Sequence, residues 1–372
     1  MSARLYLDYN ATCPVRPQVK AAVMAALDVA GNASAQHGHG RNAAQLIGEA
    51  RESVALAMGV CAQDLIFNGG GTEGDNTAIY SAHRAGCHRM LISGMDHPAT
   101  ILAAESFGIT SEEIPTDYEG RADMAWLKDR LADWDTSDGR PFVSIVAANS
   151  ETGVLQDIET ATELVRAANG LILVDAVQAL GKTPITFLPD YMAVSAHKIG
   201  GPQGVGALYV SPDAPYSSLL SGGGQERRRR AGTLNVAGIS GFGAAAKALP
   251  EFGQTAALRD HLETQLKSLE PQMVIFGDGA DRLPNTSLFA VPDASSMTLM
   301  MQLDLEGISV STGTACSSGK TGESRSVKAM GRLDAAPKGV IRVSLGEDST
   351  ADDIDTFLRA WRKIRKIQMK AA

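Results

Sequence analysis

The chain has 372 residues, more than one hydrophobic core ordinarily serves, so its length predicts two domains or one large domain with an appendage. Hydrophobic residues make up 44% and charged residues 20%, the balance of an ordinary globular α/β protein, and the 38 glycines predict many tight turns. A formal net charge of −8 argues against a broad nucleic-acid or acidic-membrane footprint, and no uninterrupted apolar run reaches bilayer length.

Met1–Asp8 carries no basic segment followed by an apolar stretch, which predicts a cytoplasmic protein. Short apolar runs then predict buried strands at Leu65–Phe67, Met90–Ser93, Val143–Ala147, Leu171–Val174, Met192–Val194 and Val205–Val210. Between them, Thr77–Arg84 continues from a glycine run as a helix, and Ile158–Ala168 has apolar residues at helical spacing. Strand, helix, strand repetition predicts a largely parallel sheet. Near Gly253 the pattern changes: Thr255–Leu269 reads as a long amphipathic helix, followed by hairpin-like and helical pieces. The last helix is expected over Asp348–Met369, with Ser349 or Thr350 as its N-cap and acidic residues in its first turn. Cys13, Cys61, Cys87 and Cys316 are scattered with no C-x-x-C pair, so neither a zinc site nor a disulfide framework is expected, and one of them can be a working thiol.

Residues with chemical potential recur at strand ends. Gly69-Gly70-Gly71-Thr72-Glu73 precedes a predicted helix, where backbone N–H groups and the Thr72 hydroxyl can cradle a phosphate; alone it reads equally as a plain turn. His97 follows a strand-like run at a place where an imidazole can stack on a flat ring, or serve a purely structural end. Asp175 ends Leu171–Val174, with Gln178 three residues on; a carboxylate there can keep a pyridine nitrogen protonated or simply cap a helix. Ser195-Ala-His-Lys198 places a lysine on a tight turn after a strand, and a semi-buried amine near another cation can shed its proton and react with a carbonyl. Each has an ordinary alternative, but their joint order predicts pyridoxal 5'-phosphate on Lys198 and chemistry on an amino acid.

Tyr6-Leu-Asp-Tyr-Asn-Ala-Thr12, Gly70-Gly-Thr-Glu73 with Asn76, Asp96-His-Pro98, Glu151-Thr-Gly153, Val174-Asp-Ala-Val-Gln178, Ser195-Ala-His-Lys198, Ala231-Gly-Thr233 and Gly313-Thr-Ala-Cys316-Ser317 together resemble the cysteine desulfurases, class V enzymes of fold type I, over nearly the whole chain. The resemblance implies a large domain with a mostly parallel central sheet (15–253) and a smaller α+β domain (1–14 and 254–372) carrying the catalytic cysteine. It implies a homodimer acting on L-cysteine, with Cys316 as the sulfur-accepting thiol, His97 handling protons, and a sulfur-acceptor protein such as an iron–sulfur scaffold downstream. Gly71, Thr72, Ser195 and His197 are then expected at the cofactor phosphate, with Thr233 reaching the phosphate of the partner subunit. Ser150 stands at a cofactor contact where the family usually carries asparagine, and Asn10 and Arg342 are expected to bind substrate.

Arg342 lies in Ile341-Arg-Val-Ser-Leu345, whose period of two puts its fork opposite three apolar residues, suited to gripping a carboxylate or to an edge-strand surface. A selenocysteine lyase shares these features, an aminotransferase has no use for Cys316, and a non-catalytic interaction protein has no need of Lys198. No metal site is expected.

Overall fold

The computed structural model describes residues 4–313 and 323–371. In chain order, β1 (Leu5–Tyr6), α1 (Pro17–Leu27) and α2 (Gly38–Met58) lead into β2 (Leu65–Asn68), α3 (Gly71–Arg84), β3 (Arg89–Ser93), α4 (Pro98–Ser106) and β4 (Thr110–Ile114). Next come α5 (Met124–Ala132), β5 (Phe142–Val146), α6 (Ile158–Ala167), β6 (Leu171–Asp175), β7 (Tyr191–Ser195), β8 (Gly206–Val210) and α7 (Val236–Lys247). The remainder comprises α8 (Thr255–Leu269), β9 (Val274–Ile275), β10 (Thr286–Ala290), α9 (Ser296–Leu305), β11 (Ile308–Ser309), β12 (Ser311–Thr312), α10 (Arg325–Ala329), β13 (Ile341–Ser344) and α11 (Ala351–Ala371).

Seven strands form the main sheet in the order β2-β8-β7-β6-β5-β3-β4. The stretch from β7 to β4 is parallel, whereas β8 runs antiparallel to both β7 and β2. All six strands expected from apolar runs lie in this sheet. The sequence reading missed β4, because Thr-Ser-Glu-Glu-Ile has no apolar run; it is an exposed edge strand that needs no second apolar face. Alternation sets the layers. Leu171 and Leu173 face α3 and α4 with Phe142, Met90 and Tyr191, while Ile172 and Val174 face a core built with α2, α5, α6 and α7. Both faces of the sheet are therefore dry, as parallel strands require.

A four-stranded antiparallel sheet, β12-β13-β10-β9, has its own core, in which Phe289, Ile341 and Val343 pack under Leu262 and Leu266 of α8, Leu303 of α9 and Phe357 and Trp361 of α11. The N-terminal segment joins this second layer, with β1 parallel to β11 and Leu7 in the same core. Thr350 starts α11 through a reciprocal pair: Asp353 N–H donates to Thr350 Oγ1 and Thr350 N–H to Asp353 Oδ2. The segment Asp8–Thr12 crosses from this sheet to the carboxyl ends of β5, β6 and β7, which brings Arg342 to the same place as Asp175 and Lys198.

Candidate active site

A cavity of about 330 Å³ opens at the carboxyl ends of the parallel strands, where ligands of such sheets bind. Asn10, Gly71, Thr72, His97, Ser150, Asp175, Gln178, Ser195, His197, Lys198 and Arg342 all line it. It adjoins a wider mouth bounded by Gly69–Glu73, Thr12, Ser195 and His197. Of the other expected residues, Thr233 is exposed and lines neither space in this chain, and Cys316 falls outside the described residues.

Gly70 has φ 144°, a conformation open to glycine, and starts α3. A Cβ on Gly71 would fall 2.5 Å from Val177 Cγ2, so the helix start can approach the loop after β6 only without a side chain. The opening turn of a helix leaves its first N–H groups outside the intrahelical ladder, which here offers Gly71 and Thr72 amides to an anion at the mouth. Ser195 ends β7 and contributes a hydroxyl to both spaces. His197 Nδ1 lies 3.2 Å from Thr12 Oγ1, and burial, helped by Lys198 and Lys182, pushes its pKa down to about 4, leaving a neutral imidazole.

Lys198 sits on the single helical turn Ala196–Ile199 after β7, closed by Gly200 at φ 78°. Its Nζ donates to the carbonyls of Asn10 at 2.6 Å and Ala11 at 2.9 Å. Asp175, at the end of β6, accepts one hydrogen bond from Val177 N–H at 2.9 Å. Burial raises its pKa, against the pull of His97 and Lys198. His97 caps α4 by accepting the Ala99 N–H on Nδ1 at 3.2 Å, which assigns its ring proton to Nε2. Burial lowers its pKa from 6.5, so it is neutral at pH 7.

Arg342 is 3% exposed on β13, an interior strand, so it is no edge-strand surface charge. Its Nη2 donates to Asp8 Oδ1 at 2.8 Å and Nη1 to the Ser150 carbonyl at 3.1 Å, while Nε is buried without a hydrogen-bond partner. Ser150 thus contributes its backbone oxygen, shared with Asn10 Nδ2 at 3.1 Å. The Asn10 amide is saturated: Oδ1 accepts from Lys182 and Asn285, and Nδ2 donates to Ser150 and Thr286. Its side chain meets the cavity with every hydrogen-bonding position already taken, while its backbone carbonyl accepts from Lys198 Nζ at 2.6 Å.

Three residues at this site were not singled out from the sequence. Asp8 lay within the first motif, with no sign that it would meet Arg342 across 334 positions. Asp75, one helical turn after Gly71, lines the cavity with Oδ1 unpartnered, and burial together with Asp175 and Asp96 holds its pKa well above the carboxylate range. Lys182 follows Gln178 by four residues. In the arginine run 227–230, Arg230 pairs with Glu73 at 2.9 Å beside the mouth, and Arg229 Nη2 donates to the Gln63 carbonyl at 2.6 Å. Glu226, Arg227 and Arg228 have φ of 45°, 56° and 67°, and the buried Glu226 carboxylate, gripped by both terminal nitrogens of Arg51, anchors this strained turn.

The chemistry available is that of a flat anionic ligand: amides and hydroxyls for a phosphate, a carboxylate and an imidazole for a ring, an amine for a carbonyl, and a guanidinium for a carboxylate. The model for aminotransferase class-V proteins matches residues 5–357. A cysteine desulfurase of Cereibacter sphaeroides is 39% identical, the match covering 95% of this chain and 94% of the relative. The cysteine desulfurase NifS of Azotobacter vinelandii is 35% identical over 96% of this chain and 91% of its own. Among solved structures, a NifS-like protein from Rickettsia africae superposes with a TM-score of 0.88 at 32% identity, covering 98% of this chain and 99% of that one. The chain therefore belongs to the class-V aminotransferase family, among its cysteine desulfurases.

Proposed function

We propose that this protein is a cysteine desulfurase that binds pyridoxal 5'-phosphate on Lys198, removes sulfur from L-cysteine to leave L-alanine, and carries the sulfur as a persulfide on Cys316. The observation that carries the reading is the convergence of Lys198, Asp175, His97 and Arg342 on one cavity at the strand ends. When bound, pyridoxal phosphate supplies an aldehyde that condenses with amines and a ring that stabilises electrons left on carbon. The residues suit it: the start of α3, Thr72, Ser195 and His197 for the phosphate, and Asp175 for the ring nitrogen.

In this reading Arg342 orients the substrate by its carboxylate, using donors that Asp8 and Ser150 leave open. The amine of Lys198, released from its two carbonyl partners, takes the substrate α-proton. The Cys316 thiolate then attacks the substrate sulfur: an S–S bond forms as the C–S bond breaks, and the carbon keeps the electron pair and is protonated to alanine. His97, neutral and carrying its proton on Nε2 with Nδ1 occupied by the Ala99 N–H, can only donate first, so it gives a proton to a sulfur or carbon in the cavity and then takes one back.

The exposed Thr233 fits a homodimer in which it reaches the partner's phosphate. The persulfide passes to a sulfur-acceptor protein, in iron–sulfur cluster assembly or another sulfur-trafficking route, in the cytoplasm. Among the described residues no helix is long and apolar enough to cross a membrane. Residues 15–253 form the cofactor-binding domain, and 1–14 with 254–372 the domain that carries the thiol.

Incubation with L-cysteine and a thiol reductant should yield alanine and sulfide in equal amounts. Cys316→Ala should abolish both while the purified protein stays yellow. Borohydride should bleach the colour and leave a pyridoxyl mass on the peptide containing Lys198. A label on another residue, or alanine formed at the normal rate by Cys316→Ala, would overturn the reading.

A further inference from the structure

Lys182 has no part in the scheme above, yet it is 7% exposed, and charged side chains are seldom so deeply buried without a task. It is not one of the residues lining the cavity. Its Nζ donates to Gln178 Oε1 at 2.5 Å and to Asn10 Oδ1 at 3.0 Å, and both of those residues do line it. An ammonium has donors only, so each amide must turn its oxygen toward Lys182 and its nitrogen away; the flipped amide would set donor against donor. Gln178 Nε2 accordingly donates one hydrogen to the Asn10 carbonyl at 2.9 Å. That same carbonyl accepts from Lys198. Lys182, Gln178, the Asn10 backbone and Lys198 thus form one continuous chain of hydrogen bonds. Burial pushes the Lys182 pKa down to about 7, so below that pH the ammonium is held against a desolvation cost that an apolar residue would not carry, and above it the neutral amine still has two N–H donors for the same two oxygens.

We propose that Lys182 is a positioning residue of the cofactor site: it locks the Gln178 amide so that its remaining N–H is a fixed donor for an electronegative atom of the bound ring, and it steadies the Asn10 carbonyl that holds Lys198. This rests on the pyridoxal phosphate reading. It assigns Lys182 an effect exerted through Gln178, which distinguishes it from a residue that merely fills space.

The test is a double-mutant cycle read by binding. Apoprotein of the wild type, Lys182→Met, Gln178→Ala and the double variant is titrated with pyridoxal phosphate, and affinity is taken from visible absorbance. Lys182→Met is expected to weaken binding about tenfold in the wild-type background and less than about twofold beside Gln178→Ala, because the residue through which it acts is already gone. The visible band of the bound cofactor should move to the same position in all three variants. Equal weakening in both backgrounds would overturn the inference. Should Lys182→Met fail to fold by circular dichroism, Lys182→Gln, which keeps a polar group on a shorter stem, is judged by the same coupling criterion. A wild type that takes up no pyridoxal phosphate overturns the cofactor reading and this inference with it, whereas a wild type that binds it with additive variants overturns this inference alone.

Discussion

Replacing Arg342 with lysine keeps the charge and removes the fork. A guanidinium has five N–H donors, and in this protein two are engaged, one with Asp8 and one with the Ser150 carbonyl. Three remain, including the buried Nε–H that has no partner. Two of these can hold a substrate carboxylate side by side, whereas a lysine ammonium has three donors in all and must share them with Asp8. Losing one charge-assisted hydrogen bond of a bidentate pair removes about 1.5–3 kcal/mol, so kcat/KM for cysteine should fall roughly tenfold to a hundredfold. Because the ammonium still reaches a carboxylate at Asp8, stability should change by only about 1 kcal/mol. Steady-state alanine production gives the first number and urea unfolding the second. Cysteine amide, which lacks the carboxylate, should lose far less between wild type and variant. If Arg342→Lys turned over cysteine with wild-type kcat/KM, or if both substrates suffered alike, Arg342 would be a structural cation and not the carboxylate clamp.

His97 both caps α4 and faces the cavity, and asparagine separates the two roles because it is a good N-cap that cannot carry protons. His97→Asn should unfold within about 0.5 kcal/mol of wild type while turnover drops about a hundredfold; normal turnover would remove His97 from the chemistry. Asp96, one residue earlier, accepts from Ser144 Oγ and Val146 N–H at 2.6 Å, and burial still pushes its pKa up to about 7. A carboxyl group whose folded pKa is raised binds more protons folded than unfolded, so its contribution is full near about pH 4 and is lost as pH rises toward about 7. Asp96→Asn cannot ionise, so its stability relative to wild type should improve from about pH 5 to pH 8, by a few kcal/mol at most. Denaturant unfolding at the two pH values decides it, and a constant difference would show that Asp96 does not titrate in that window.

Strands buried on both faces are legible because they leave a continuous apolar run, and Leu171–Asp175 and Tyr191–Ser195 are of this kind. β4 left none, since a polar edge strand looks like a loop until its partner is known. The direction of β8 was equally hidden. A parallel and an antiparallel central strand bury the same residues, and only the connection length separates them: ten residues lie between Ser195 and Gly206, too few for a helical crossover. The period of two around Arg342 correctly separated it from Ile341 and Val343, which lie in the core.

His97, Asp175, Ser195 and Lys198 could be found because they stand at or just after a strand end in the sequence, where a local pattern announces an exposed backbone terminus, and Arg342 because it breaks an apolar alternation within β13. Asp8 and Lys182, which could not be found, meet partners far away in the chain. Asp8 matters because Arg342 arrives beside it, and Lys182 because Asn10 lies opposite. The first kind presents groups to a ligand and the second kind fixes which atoms of those groups are presented, since an ammonium or a carboxylate with one set of hydrogen-bond roles leaves an amide or guanidinium no choice of orientation. The buried carboxyls Asp75 and Asp175 at the cavity, with Asp96 behind them, have raised pKa values, and the half-buried imidazoles of His97 and His197 have lowered ones, so burial disfavours the charged form of each. A ligand that brings its own charges meets groups whose ionisation it can shift, so the phosphate proposed at the start of α3 and the protonated ring proposed beside Asp175 would each find a partner able to ionise against it.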